Sequence, residues 1–231
     1  RLVGSEMCIR DRKYKDISGP DGVPDGVIDD YDKTNIGSPM PKFTFGWTNT
    51  FRYKNFDLSV FINGSYGNKV YNYLSMKLTH MNSPWTNQLN AVNGRAQLVP
   101  INPNKVYEDG TMWYNDVSNV MVANPGASIP RATINDPNDN DRISDRYIED
   151  GSYIRLKNIS LGYTFPKKTI DKLGLSNLRI YANIQNLLTI TGYDGYDPEI
   201  GASTSSVNVY GLDNGRYPSP TVYSFGLNVS C

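Results

Sequence analysis

The aspartates of one acidic stretch, residues 16–32, are the first side chains in this sequence whose spacing suggests chemistry. Counted from Asp21, carboxylates occupy positions one, five, nine and twelve of a loop around Gly26. They are Asp21, Asp25, Asp29 and Asp32. Calcium loops bind their ion through oxygen ligands at comparable intervals, so the pattern predicts a degenerate calcium loop, with Ca²⁺ as a possible cofactor. Val23 at the third position offers no oxygen, and a solvated loop of turn-forming residues stays the alternative.

Aromatic side chains in the long polar segments form a second candidate set. Three of them are predicted to contact a substrate: Trp85, Trp113 and Tyr114. Aromatic faces beside Asn and Asp side chains can stack on sugar rings while the polar groups bind hydroxyls. Packing against a partner protein, or a place in the aromatic girdle of a membrane barrel, is the alternative for each of them.

The composition excludes several classes of function. The 231 residues carry 23 Lys and Arg against 23 Asp and Glu, so no excess positive charge favours nucleic acid as a partner. No run approaches the roughly 18 apolar residues of a transmembrane helix. A single histidine, His80, in a polar stretch is expected at the surface, and two cysteines, Cys8 and Cys231, supply neither a disulfide framework nor a zinc site. We expect no enzyme.

Long β-strands must position these residues, because apolar and polar side chains alternate over five segments. The predicted strands are residues 43–53, 56–66, 152–165, 178–189 and 221–231. A change of parity at Lys157 and Asn158 predicts a bulge in the third strand. Soluble strands typically have about 5 or 6 residues, whereas a tilted strand needs about 9–11 to cross a membrane. A membrane β-barrel is therefore favoured over the alternative, a secreted β-sandwich that binds carbohydrate or acts as an adhesin.

Short and long connections alternate between these strands. The connections 54–55 and 167–177 are short, whereas 67–151 and 190–220 are long. Outer-membrane barrels have short periplasmic turns and long extracellular loops. We therefore expect the two short connections at the periplasmic side and the long ones at the extracellular side. Five strands would leave two unpaired edges, and we expect them to be part of a larger barrel.

Four stretches, in order along the chain, carry a family resemblance. They are residues 29–46, residues 146–166 (RYIEDGSYIRLKNISLGYTFP), residues 186–199 with NLL and GYDPE, and residues 217–228. Together they resemble the C-terminal part of SusC/RagA-type TonB-dependent outer-membrane transporters, and the resemblance runs from about Tyr14 to Val229.

The resemblance implies an all-β fold: the C-terminal five antiparallel transmembrane strands of an outer-membrane β-barrel of about 22 strands, with long extracellular loops. It also implies import of glycans or peptides, a SusD-like lipoprotein as partner, and energy from a TonB complex that acts through a region N-terminal to this segment. Outer-membrane lipid would surround the strands.

Both ends of the sequence depart from this pattern. Residues 1–12 have no strand or helix period and resemble translated read-through of a sequencing adapter, so residues 13–231 are the expected barrel segment. Barrel proteins of this kind generally end in an aromatic residue, whereas Cys231 stands at the corresponding position. Either the natural ending differs from that of such barrels, or Cys231 marks the boundary of a sequenced fragment, and we favour the second interpretation.

Overall fold

The computed structural model describes residues 11–134, 136, 138–200 and 210–230. These residues form two compact units. One unit comprises Gly37–Tyr73 and the described part of Arg146–Cys231, and the other comprises Leu74–Asp145 with the described part of Arg1–Ile36. Cys231 and residues 1–10 lie outside the described residues, and the foreign origin of residues 1–12 stays a prediction.

Strands dominate the described chain. They are β1 (Phe43–Tyr53), β2 (Phe56–Tyr66), β3 (Lys69–Asn72), β4 (Leu98–Pro100), β5 (Val120–Val122), β6 (Ile148–Asp150), β7 (Tyr153–Thr164), β8 (Asn177–Thr191), β9 (Leu212–Asp213) and β10 (Val222–Ser230). Two short α-helices accompany them, α1 (Tyr73–Thr79) and α2 (Lys167–Ile170), with single 3₁₀ turns at Asp30–Asp32, Asn90–Gly94, Trp113–Asn115, Val117–Asn119, Asp145–Tyr147 and Asp171–Leu173. No helix in the described ranges is long and apolar enough to cross a membrane.

The five long strands form one antiparallel sheet in the order β1-β2-β7-β8-β10. The first two strands have the predicted bounds, and the other three differ from prediction by one or two residues at each end. Pairing shifts between Leu156 and Asn158, which confirms the predicted bulge. The side chains of β7 change face at this level, because Asn158 pairs with Phe61 whereas Leu156 pairs with the next residue of β2, Ile62. Asn186 on the facing strand β8 adopts a positive φ of 52°.

One face of this sheet is apolar and uncovered. In-register rows place Trp47 opposite Ile62, and Leu161 opposite Ala182. Exposure along this face is high: Trp47 is 53% exposed, Leu161 47% and Phe225 83%. Aromatic pairs mark its two ends, with Phe43 and Tyr66 at one and Phe56 and Tyr163 at the other. An exposed apolar surface of this extent marks contact with another protein or with a membrane.

Beyond the C-terminal end of β2, the unit that contains the five long strands also has a small three-stranded sheet in the order β6-β3-β9. Its centre is Val70, 1% exposed, and Gly211 packs over Lys69 with a positive φ that a side chain would strain. Within the second unit, β4 pairs with β5. Both small sheets lie in the long connections that the sequence assigns to loops.

Candidate functional site

The polar face of the five-stranded sheet gathers the side chains best placed to act on a solute. Its members, alternating with the apolar rows, include Thr48, Asp57, Ser59, Asn63, Arg155, Asn158, Ser160, Arg179, Asn183, Gln185, Ser224 and Asn228. Among them the side-chain oxygens of Asn63, Asn158 and Asn183 are buried in the described chain without a hydrogen-bond partner. The face is built largely from hydroxyl, amide and charged side chains, the composition of a surface that meets water or a polar solute.

An ion pair crosses the polar face near the short turns. Arg179 on β8 donates from Nη2 to Oδ2 of Asp57 on β2 at 2.6 Å, and from Nε to the other carboxylate oxygen at 3.3 Å. Between them on β7 lies Gly162, where a Cβ atom would collide with both partners. The ion pair joins β2 to β8 across β7, so residue 162 of β7 must be a glycine.

A second ionic cluster fixes the connection after β8 to the polar face. Arg155, 2% exposed, donates to Asp197, to Glu199 at 2.7 Å and to the Thr189 hydroxyl at 2.8 Å. Lys157, next to the bulge, donates to Glu199 at 2.9 Å. Two of the stretches that carry the family resemblance, residues 146–166 and 186–199, are thus joined in a single cluster.

Burial of Asp197 disfavours its charged form, but its hydrogen-bond donors outweigh this effect. The Arg155 guanidinium and the backbone N–H groups of Ser219 and Glu199, at 3.0 and 2.9 Å, lower the pKa of Asp197 below its ordinary value. The carboxylate therefore stays charged, and it connects β7 to two separate parts of the loop between β8 and β10.

Further polar contacts hold the described parts of the same loop. Tyr193 donates its hydroxyl to Asp213 at 2.5 Å, and both residues are buried. Burial, together with this hydrogen bond, raises the pKa of Tyr193. Glu149 accepts from Asn72 and from the backbone N–H of Asp194, each at 2.9 Å. The small sheet and the loop are therefore linked through side chains that the period of the sequence does not reveal.

The predicted substrate aromatics all lie in the second unit. Trp85 is 93% exposed on an irregular segment, and Tyr114 is 48% exposed. Trp113 is half-buried and meets Tyr114 edge-on, with ring centroids 5.7 Å apart. The structure brings two of the three together, and their contact with a substrate stays a prediction.

Carboxylates of the acidic loop, residues 16–32, accept hydrogen bonds from backbone N–H groups of the same loop. Asp25 and Asp29 each accept from a backbone N–H two residues ahead, and Asp32 accepts from Ile17, Ser18 and Asp29. Hydrogen bonds from the backbone of Asp29 and Ile17 lower the pKa of Asp32. No three of the carboxylates of Asp21, Asp25, Asp29 and Asp32 come within 4.8 Å of one another. In the described chain, such a group of three His, Cys, Asp or Glu ligand atoms occurs in one place elsewhere. Calcium binding stays a prediction.

That other place involves His80, and the expectation of a surface histidine is wrong. The side chain is 12% exposed, and its Nε2 lies 2.8 Å from Asp136, while Nδ1 lies 4.0 Å from Asp141. Asp136 also accepts from the backbone and the side chain of the buried Asn140. The histidine joins the end of α1 to a loop about 56 residues away along the chain, a long-range contact that leaves no signal in the sequence.

The sequence of this chain is similar to those of known TonB-dependent receptors. The chain is 35% identical over 221 residues to "TonB-dependent receptor P3" of Formosa agariphila, covering 94% of this chain and 18% of that protein. It is 28% identical over 207 residues to "TonB-dependent receptor SusC" of Bacteroides thetaiotaomicron, covering 88% of this chain and 16% of that protein. No family model matches the chain.

Solved structures of the RagAB peptide transporter share the fold. One aligns with a TM-score of 0.59 at 20% identity, covering 84% of this chain and 18% of that chain. A "closed-closed" state of the RagAB peptide importer aligns equally well over 92% of this chain. The present chain therefore spans about a fifth of the length of its relatives, and its five-stranded sheet corresponds to one sector of a much larger protein.

Proposed function

Because the chain belongs to the SusC/RagA family of TonB-dependent outer-membrane proteins, we propose that it forms one sector of the barrel of an outer-membrane transporter. The observation that carries this proposal is the five-stranded sheet with one uncovered apolar face and one polar face. Lipid would cover the first face, and the second would line the lumen.

The dimensions of the sheet support a membrane location. From Phe56 to Tyr66 β2 advances ten residues, about 33 Å at roughly 3.3 Å per residue. With the strand tilt of about 40° found in membrane barrels, this becomes a height of about 25 Å, which matches the apolar band of such barrels. Both residues belong to the aromatic pairs at the two ends of the apolar face.

The geometry of the sheet argues against the alternative, a secreted β-sandwich. A sandwich buries the apolar face of one sheet against a second sheet. Among the described residues all five long strands belong to one sheet, and side chains such as Phe225 and Tyr223 remain more than half exposed. The fold is instead that of the RagAB transporter structures.

We propose peptides or oligosaccharides as the cargo and a SusD-like lipoprotein as the partner. The relatives support both: solved neighbours are named as peptide transporters, and a sequence relative is named SusC. TonB would act through a region of the protein outside this segment. The role is non-enzymatic, and the exposed Trp85 is the best-placed candidate for contact with cargo or partner.

Two arginine substitutions in the full-length protein test the assignment of faces. Phe225 and Ser224 are neighbours near the middle of β10 on opposite faces. Phe225→Arg would place a charge in lipid at a cost of roughly 2–4 kcal/mol, whereas Ser224→Arg would face the lumen. We expect the first variant to be depleted from the outer-membrane fraction and the second to accumulate normally. Equal accumulation of both, or recovery of the wild type from the soluble fraction, would contradict the proposal.

A further inference from the structure

Three side chains with metal-binding atoms converge in the unit that does not contain the five long strands. They are His80, which directly follows α1, and two aspartates of a later segment, Asp136 and Asp141. One imidazole nitrogen and one oxygen from each carboxylate all lie within 4.8 Å of one another. The ligand set is one histidine with two aspartates, which no cysteine or histidine motif marks in the sequence.

The imidazole ring is flanked by the two carboxylates. Its Nε2 lies 2.8 Å from Oδ2 of Asp136, and its Nδ1 lies 4.0 Å from Oδ2 of Asp141. The side chains of His80 and Asp136 are largely buried, whereas that of Asp141 is 48% exposed. Two of the potential ligands are therefore shielded from bulk water, and the third opens to the surface, so an ion has a path of entry.

Asn140 holds the carboxylate of Asp136 in position. Its backbone N–H donates to Oδ2 and its side-chain amide donates to Oδ1, each at 2.6 Å. Asn140 is itself buried. Residues that bind a metal ligand rather than the ion orient that ligand and raise the affinity of a metal site.

A small cavity adjoins the two buried ligands. Its volume is about 10 Å³, and Thr79 and Thr133 line it together with His80 and Asp136. A cavity of this size holds about one water molecule. The space is therefore sufficient for the water that completes the coordination of a metal ion with three protein ligands.

The positive charges near the cavity are offset by carboxylates. Arg12 and Arg131 also line the cavity. Arg12 donates to the carbonyl of Asn140, and Nε of Arg131 lies 3.5 Å from Oδ1 of the buried Asp11. Together with the two carboxylates beside the histidine, Asp11 outweighs the two guanidinium groups. The net charge of the cluster is therefore negative, which favours a cation.

We propose that His80, Asp136 and Asp141 bind one divalent transition-metal ion, for which Zn²⁺ is the probe. An imidazole nitrogen with two carboxylate oxygens suits zinc, whereas Mg²⁺ and Ca²⁺ prefer sites made of oxygen alone. Such ligands lie about 2.0–2.2 Å from Zn²⁺ and hence about 3.3 Å from one another in a tetrahedral site. Nε2 and the Asp136 carboxylate would move apart by about 0.5 Å when the ion takes the place of the proton between them.

A bound ion would tie the end of α1 to a segment 56 residues later along the chain, a role separate from transport. Titration calorimetry of the full-length protein with Zn²⁺, after extraction in mild detergent and removal of metals with a chelator, tests the site. His80→Gln and Asp141→Asn are each expected to weaken zinc binding at least about 10-fold, because loss of a group that merely orients a ligand already costs about 10–100-fold. Millimolar Mg²⁺ is expected to leave zinc binding unchanged.

Asp141→Asn is the variant that separates metal binding from folding, because the side chain is half exposed. Asp139→Asn is its matched control: the Asp139 side chain is 64% exposed and pairs with Arg142, and asparagine tolerates the positive φ of 47° at this position. The control is expected to bind zinc as the wild type does. Wild-type zinc affinity in Asp141→Asn would overturn the site. An equal loss in Asp139→Asn would also overturn it, since zinc would then respond only to the overall charge of the segment.

Discussion

Replacing Arg155 with methionine should release the loop that follows β8. Methionine has a similar length and no charge, so the change removes three hydrogen-bonding interactions with Asp197, Glu199 and Thr189 while retaining most of the apolar stem. The carboxylate of Asp197, 7% exposed as a residue, then loses its main partner. The strand itself keeps its backbone hydrogen bonds on both sides.

The magnitude follows from the burial of the cluster. Removing one member of a buried ion pair typically costs about 3–5 kcal/mol. Asp197 retains the N–H groups of Ser219 and Glu199, and Glu199 retains Lys157, so the lower end, about 3 kcal/mol, is appropriate. A free-energy change of that size is about a 100-fold change in the equilibrium for local opening.

Hydrogen exchange measured by mass spectrometry on the full-length transporter gives the readout. We expect peptides from residues 192–200 and 216–221 to exchange about 100-fold faster in Arg155→Met, because local opening limits their exchange. Lys157→Met is the matched control. Its pair with Glu199 is partly exposed, with side chains 32% and 38% accessible, so about 0.5 kcal/mol and a two-fold change are expected.

Exchange within about three-fold of the wild type in Arg155→Met would refute the reasoning. So would an equal effect of Lys157→Met, since burial would then not decide the strength of the pair. Peptides from β1, which pairs with β2 and is not a neighbour of β7 or β8 in the sheet, report whether the barrel remains intact.

Three other outcomes are expected. Gly162→Val should destabilise the sheet by about 1–3 kcal/mol, because its side chain would collide with Arg179; Gly94→Ala, which meets nothing within 4 Å, is the control, and equal thermal stability of the two variants would contradict the clash. The pKa of Asp116 lies well below its ordinary 3.8 because Lys105 and other donors bind the carboxylate, so its contribution is present above pH 3.8 and is lost as pH falls further. The ratio of pepsin cleavage rates between Asp116→Asn and wild type should therefore approach one as pH falls from 4 towards 2, roughly the window of that titration; a constant ratio would exclude the linkage. Calorimetry with millimolar Ca²⁺ should give saturable heat if residues 16–32 bind the ion, and no heat removes the predicted calcium loop.

Period-two alternation was sufficient to place the five long strands, because each strand meets two different environments. The bounds of β1 and β2 match the prediction, and the bulge at Lys157 was visible as a change of parity. The same signal cannot reveal contacts that depend on loop closure. His80 looked like an isolated polar residue, yet it is held by Asp136.

The amino-acid sequence by itself determined the alternation of faces, the length of the strands and the resemblance to a transporter family, since these depend on local order along the chain. Only the tertiary structure decided which charges meet. Asp57 pairs with Arg179 although Arg52 lies directly opposite it in the strand register. Arg155 pairs with Asp197, which is more than 40 residues away along the chain. Such pairings depend on register, on bulges and on the absence of a side chain at Gly162. Electrostatic interactions act through space and fall off with distance, so the sequence gives their charges and the fold gives their partners.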